Sequence, residues 1–271
     1  MRLLLIGDIV GKPGRRVVCE LAERLRGELG LDLIVANAEN AAEGSGITPK
    51  IYRQLIEAGV DCITLGDHIY RRREIVEVLE TRENIVKPAN FPRIAPGRPW
   101  TLCRTPQGVD VGVFCLLGRT YMRPVDCPFA AADQVLCEMP SHVRVRLLDF
   151  HAEATSDKQA LGRYLDGRVS AVLGTHTHVP TADEQVFPGG TAFQCDVGMT
   201  GPYESILGRS IECVLTTTLT LRPKTFRVAK ADIRLCGTIV DVDPETGRAT
   251  AIQRLNLPYP QESRATGTAW Q

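Results

Sequence analysis

Short apolar runs alternate with amphipathic stretches along most of the chain, and that alternation predicts its elements. Residues 3–6 are continuously apolar and end in Gly7-Asp8, as a buried strand running into a turn does. Val17, Leu21, Leu25 and Leu29 then recur at helical spacing, which predicts a helix over 15–29 stopped by Gly30. Residues 32–35 read as a second strand that runs out into Asn37-Ala38-Glu39-Asn40. Thr48-Pro49 is an N-cap followed by proline at the first helical position, and Gly59 closes the helix that Ile51, Leu55 and Ile56 line. Residues 62–65 are a third strand, ending in Gly66-Asp67-His68, and a charged helix covers 71–80.

The second half continues the pattern. Pro106-Gln107-Gly108 separates apolar runs at 100–104 and 109–117, a hairpin signal. A helix is expected over 129–138 and a strand over 143–150, with His151 at its end. Thr155 or Ser156 would cap a helix reaching Leu165. The apolar run 169–173 leads into Gly174-Thr175-His176-Thr177-His178, and another run covers 191–195. From 216 onward the pattern changes to short strand-like runs at 216–221, 227–230, 237–242 and 249–255, the last two joined by the turn Asp243-Pro244-Glu245-Thr246-Gly247. The alternation of strands and helices predicts a layered α/β fold with largely parallel central strands. One domain over 1–271 is expected, with a loosely held tail from about Pro258–Pro260 onward.

Composition narrows the class. Formal net charge is zero, so no dedicated nucleic-acid or membrane surface is expected. No stretch is apolar enough to span a bilayer. Nine cysteines without a Cys-x-x-Cys pair suggest reduced thiols and a cytoplasmic protein, not a disulfide framework or thiolate zinc site.

Five predicted strands end in a ligand-type residue or group: Asp8, Glu39-Asn40, Asp67-His68, His151, and His176 with His178. Sites in open α/β sheets form beyond the carboxyl ends of parallel strands. Four of the five histidines lie at these ends, and His142 does not. Side chains two apart on an extended backbone point the same way, so His176 and His178 would aim at one spot. The donors are oxygen and imidazole without thiolate, which suits iron, manganese or zinc. The set is too large for one ion and suits two ions sharing a carboxylate bridge, the arrangement that clamps displacement at phosphorus.

This order of motifs resembles the calcineurin-type metallophosphoesterases, and within them the YmdB-type phosphodiesterases. The resemblance rests on residues 6–11 (Ile-Gly-Asp-Ile-Val-Gly), Asn37-Ala38-Glu39-Asn40, Leu65-Gly66-Asp67-His68, the stretch 149–156, Gly174-Thr175-His176-Thr177-His178 and the stretch 196–202. It implies a four-layer α/β/β/α sandwich with mixed sheets and a di-iron centre, with manganese or zinc as alternatives. It also implies hydrolysis of phosphodiesters such as 2',3'-cyclic nucleotides to 3'-nucleotides by a metal-bound hydroxide. Asp8, Asn40 and His178 would hold one metal, Asp67, His151 and His176 the other, Glu39 would bridge, and His68 would be the general acid. Two positions depart from the wider superfamily: Val10 stands where a histidine is usual, a vacancy Asn40 would fill, and Asp67 replaces the usual asparagine.

Other residues are candidates for support. Gly44-Ser45-Gly46 reads as a turn near Glu39, Asp149 or Glu153 would orient His151, and Arg119 and Arg123 would meet phosphate. A phosphomonoesterase or nucleotidase could use the same centre. A metal-dependent nucleotide sensor would have no need of His68. A metal amidohydrolase would carry its His-x-His on the first strand of a barrel, whereas here it comes late. The partner expected is a small phosphodiester or cyclic nucleotide, and the sequence leaves homo-oligomerisation open.

Overall fold

The computed structural model describes residues 1–260. In chain order the elements are β1 (Arg2–Ile6), β2 (Asp8–Ile9), α1 (Gly11–Leu29), β3 (Leu33–Asn37), α2 (Pro49–Glu57), β4 (Cys62–Thr64), a 3₁₀ turn (Arg73–Ile75) and α3 (Val76–Thr81). They continue as β5 (Trp100–Arg104), β6 (Asp110–Leu117), α4 (Pro128–Glu138), β7 (Val145–His151), α5 (Thr155–Tyr164), β8 (Ala171–Thr175), β9 (Gln185–Val186) and β10 (Ala192–Gln194). The last are β11 (Met199–Pro202), α6 (Ile211–Thr220), β12 (Ile233–Val242) and β13 (Ala249–Pro258).

The strands form two mixed sheets. The first runs β2-β11-β12-β1-β3-β4, with β13 also on β12; the second runs β5-β6-β7-β8-β10-β9. β1, β3 and β4 are parallel, and β12 returns antiparallel along β1. β6, β7, β8 and β10 are parallel, with β5 and β9 antiparallel at the edges.

Alternation within the strands builds the layers. Leu3 and Leu5 of β1 and Leu33 and Val35 of β3 pack between the sheets against Val111, Val113, Val145, Leu147 and Leu173. Their neighbours Leu4, Ile6, Ile34 and Ala36 face outward onto Val17, Leu21 and Leu25 of α1 and Leu55 of α2. On the far side Phe114, Leu116, Leu148, Phe150 and Phe193 pack under Val135 of α4 and Leu161 of α5. The order is therefore helix, sheet, sheet, helix. Strands covered on both faces carry few polar positions to break them, which is why they read as near-continuous apolar runs.

Several expectations are met in detail. The Thr48 hydroxyl accepts from the Ile51 amide with Pro49 in the first turn of α2, and β5 and β6 pair as a hairpin. Others are corrected. The run 216–221 is not a strand but the end of α6; threonine-rich sequence suggested β structure, yet its backbone bonds locally. No strand covers 227–230; Arg209 and Val228 make an isolated bridge. α1 starts at Gly11, and α5 starts at Thr155 after Ala154, without a side-chain cap. At the tail, the Tyr259 amide donates to the Ile233 carbonyl at 2.7 Å; residues 261–271 of the expected loose tail lie outside the described residues. Among the described residues no helix is long and apolar enough to cross a membrane.

Candidate metal centre

The polar residues predicted at strand ends meet where the two sheets come together. Asp8 follows β1; Glu39 and Asn40 follow β3; Asp67 and His68 follow β4; His151 ends β7; His176 and His178 follow β8. Asp8, Glu39 and His151 are fully buried. His142 stands apart, exposed beside Asp110.

Ligand-type atoms of Glu39, Asp67, His151 and His176 all lie within 4.8 Å of one another. His151 Nε2 is 3.2 Å from Glu39 Oε1, 3.5 Å from Asp67 Oδ1 and 2.9 Å from His176 Nδ1. A second group abuts the first. Asn40 Nδ2 is 3.4 Å from Asp8 Oδ1, 3.3 Å from His178 Nε2 and 3.1 Å from Glu39 Oε1. Glu39 thus touches both groups.

The outward nitrogens of the histidines explain how the inward ones are presented. His151 Nδ1 lies 2.8 Å from the Thr175 hydroxyl, which donates to Asp149 Oδ1 at 2.6 Å. His178 Nδ1 lies 3.1 Å from the Leu207 carbonyl, and His176 Nε2 is 3.2 Å from Glu153 Oε2. An oxygen acceptor on one nitrogen places the proton there and turns the other nitrogen's lone pair inward. Asp149 also receives Asn37 Nδ2 at 2.9 Å and the Thr64 hydroxyl at 2.5 Å. Asp149 therefore acts on His151 through Thr175, while Glu153 sits against His176 instead of His151. Asn37, Thr64 and Thr175 were missed in the sequence because a hydroxyl or amide beside a ligand has no pattern of its own.

The His-x-His expectation needs a correction. β8 stops at Thr175, and His176 and His178 adopt φ of 96° and 66°. Left-handed backbone at two histidines costs roughly 1–3 kcal/mol each. The segment is not extended, so the two rings go to different groups, His176 to Asp67 and His151, His178 to Asp8 and Asn40. Asp196 holds the bend: it accepts from the amide of Thr177 at 3.0 Å and from its hydroxyl at 2.8 Å, and buried Lys158 pairs with it at 2.8 Å.

Electrostatics and packing both fit a cation. Burial works against charge on Asp8, but His178 and His151 outweigh it and hold its carboxyl well below the usual range. Burial likewise opposes charge on Asp67, and His151 with the other imidazoles overcomes it. Asp67 Oδ1 is buried without a hydrogen-bond partner, its nearest nitrogens standing 3.5 and 3.7 Å away, too long for good hydrogen bonds. With no cation these carboxylates are held ionised by protons on the imidazoles, and an ion would replace those inward protons, freeing the nitrogen lone pairs to join the orphan oxygen as ligands. Such a set suits a metal ion.

His68 sits at the rim, about a quarter exposed, with its amide donating to Glu39 Oε2 at 2.8 Å. Its Nδ1 is 2.8 Å from Asn40 Oδ1. His68 follows Asp67 directly in the chain. Both residues lie in a turn, and His68 Nε2 is 3.7 Å from Asp67 Oδ2. Gly66 makes the approach of this turn feasible, since a Cβ there would stand 2.4 Å from His151 Nε2 and 2.5 Å from Glu39 Oε2. The Gly44-Ser45-Gly46 turn is tied down, with Arg209 donating to the carbonyls of Glu43 and Gly44. A surface cavity of about 640 Å³ lined by Arg26, Asp32, Asp61 and Cys103 opens at the opposite ends of the strands and includes none of these groups.

The model of the YmdB-like protein family matches residues 4–255. The chain is 45% identical over 255 residues to the 2',3'-cyclic-nucleotide 2'-phosphodiesterase of Bacillus subtilis, covering 94% of this chain and 96% of that protein. A hypothetical protein of Thermus thermophilus has a solved structure that superposes with a TM-score of 0.90 at 43% identity, covering 96% of this chain and all (100%) of that one. A Mycoplasma pneumoniae protein described as a novel phosphatase superposes with a TM-score of 0.89 at 29% identity, covering 95% of this chain and 93% of its own.

Proposed function

The chain belongs to the YmdB-like family, and from that premise we propose that it is a metal-dependent phosphodiesterase that converts 2',3'-cyclic nucleotides to 3'-nucleotides. The observation that carries the reading is the double group of donors sharing Glu39. Asp67, His151 and His176 would hold one ion, Asp8, Asn40 and His178 a second, and Glu39 both. Bound cations supply Lewis-acid charge and a nucleophile at neutral pH. Oxygen and imidazole donors suit iron, manganese or zinc, and the resemblance to the YmdB-type phosphodiesterases puts iron first.

The chain's own residues do the rest. Asn40 links the second group to His68. Asn40 Oδ1, 2.8 Å from His68 Nδ1, is placed to accept a proton there, so that an imidazolium at His68 would carry its second proton on Nε2. From the rim of the site, that proton is the one given to the departing 2' oxygen, which leaves poorly as an alkoxide. Asp149 and Thr175 keep His151 in one tautomer, and Lys158 and Asp196 hold the bend that separates His176 from His178. Phosphorus NMR of the product of metal-loaded protein tests the reading. A 3'-phosphate is expected; a 2'-phosphate or an unreacted diester would refute it. The Mycoplasma pneumoniae neighbour's description favours a phosphomonoesterase as the second reading, and rates on nucleoside monophosphates beside cyclic nucleotides separate the two.

A further inference from the structure

The loop after β6 stands beside the cluster and takes no part in the chemistry above. Leu117, the last residue of β6, pairs in register with His151, so the loop leaves the sheet one strand spacing, roughly 5 Å, from a candidate ligand. The Gly118 amide donates to the His151 carbonyl at 2.9 Å. A Cβ at 118 would lie 2.5 Å from that of Ala152, so the contact with the site strand is close.

The loop is tied at both ends and in the middle. Buried Asn90 donates to the carbonyls of Leu117 at 2.8 Å and Asp126 at 3.0 Å, and accepts from the Leu117 amide at 2.8 Å. Asp157, in the first turn of α5, accepts from the amides of Arg119 and Thr120 at 3.1 Å and from the Thr120 hydroxyl at 2.9 Å. A backbone held this firmly can impose an unfavourable conformation, and it does so at Tyr121, whose φ is 62°. Tyr121 gains no burial in exchange, because it is 90% exposed. Arg119 and Arg123 flank it, both exposed and neither in an ion pair among the described residues. Strain at an exposed aromatic, kept by an over-determined frame at the edge of a site, points to a use for the side chain.

We infer that Tyr121 is the platform on which the substrate's base stacks, with Arg119 and Arg123 drawing in its phosphate. A tyrosine ring offers a π-face to any base, and guanidinium groups match phosphate oxygens. The inference rests on the phosphodiesterase reading and adds where the nucleotide's base is held, with little choice among bases, since stacking is sequence-tolerant.

Two substrates separate the terms: 2',3'-cyclic AMP and methyl riboside 2',3'-cyclic phosphate, which has the same reacting ring and no base. Tyr121→Ala should raise KM for cyclic AMP by roughly 5- to 150-fold, the range for loss of one stacked base. Its KM for the base-free compound and its kcat on both should change little. Tyr121→Trp should keep the low KM. The Arg119→Ala, Arg123→Ala double variant should raise KM for both compounds. An equal KM for the two compounds in the wild type, or equal effects of Tyr121→Ala on both, would overturn the platform while leaving the diesterase intact. Turnover of neither compound by metal-loaded wild type would overturn the underlying reading as well.

Discussion

Thr175 shows how much a single uncharged residue decides in this centre. Its hydroxyl stands between Asp149 and His151, and without it His151 Nδ1 would face the Asn37 amide at 3.4 Å, a donor that does not fix the same tautomer. Thr175→Val keeps the shape and removes the hydroxyl. It should weaken metal retention by about 10–100-fold, the usual effect of losing such a support, as chelator competition would measure. His68 makes the opposite prediction, because it stands at the rim and is not among the groups assigned to hold metal. His68→Ala should keep its metals yet lose about 10²–10⁴-fold in rate on cyclic nucleotides. On bis-nitrophenyl phosphate the loss should be much smaller, since nitrophenolate leaves without a proton. Equal losses on both substrates would mean that His68 binds phosphate and is not the acid.

At the scale of elements, the bend after β8 and the loop after β6 each depend on a carboxylate from elsewhere in the fold. Asp196 reaches the bend from the segment between β10 and β11 and is neutralised by Lys158 of α5, both about 1% exposed. Lys158→Met would leave that carboxylate buried and unpaired, at a cost of about 3–5 kcal/mol. Urea unfolding should register the loss, and a change within about 1 kcal/mol would show that water reaches Asp196. Asp157 pins the loop after β6. Burial works against its charge, but the amides of Thr120 and Arg119 outweigh it, so its pKa lies below the ordinary carboxylate value. A pKa depressed on folding stabilises above the unfolded value, and that stability is lost as pH falls through the folded one. The Arg119 and Thr120 amides should therefore be protected from hydrogen exchange at neutral pH and released in acid. Asp157→Asn should expose them at neutral pH; full protection in that variant would place the anchor elsewhere.

For the whole molecule, the centre joins two sheets through side chains from both, so ion binding and folding should be linked. Ligand bound to the folded state alone stabilises by about 2.7 kcal/mol at a hundredfold excess over Kd. Chelator should lower the wild-type Tm, and Glu39→Ala, which removes the residue common to both groups, should bind little metal and be insensitive to chelator. A metal content near two equivalents in the wild type and near zero in Glu39→Ala is expected from metal analysis. Full activity at one equivalent would sink the two-ion arrangement.

Much of this architecture was legible in the chain. Strands covered on both faces have to be largely apolar, so β1, β3, β4, β7 and β8 announce themselves, and donors of this kind gather at their carboxyl ends. Asp8, Glu39, Asn40, Asp67, His151, His176 and His178 were singled out as candidates that way, and the structure brings them together. Other features depended on partners far away in the sequence. The end of α6, over 216–220, looked like a strand because threonine and leucine suit either state, and tertiary context decides between them. The backbone of His176 and His178 is left-handed because Asp196 and Lys158 hold Thr177, and no local pattern encodes that. Thr175, Asn37 and Thr64 matter only because three strands bring them to one carboxylate. Tyr121 is marked by a φ angle and an exposure, which exist only once Asn90 and Asp157 have closed the loop. Residue types and their periodicity set which elements form and where donors fall along them. The bonds that orient those donors come from residues distant in the chain, so only packing could decide them.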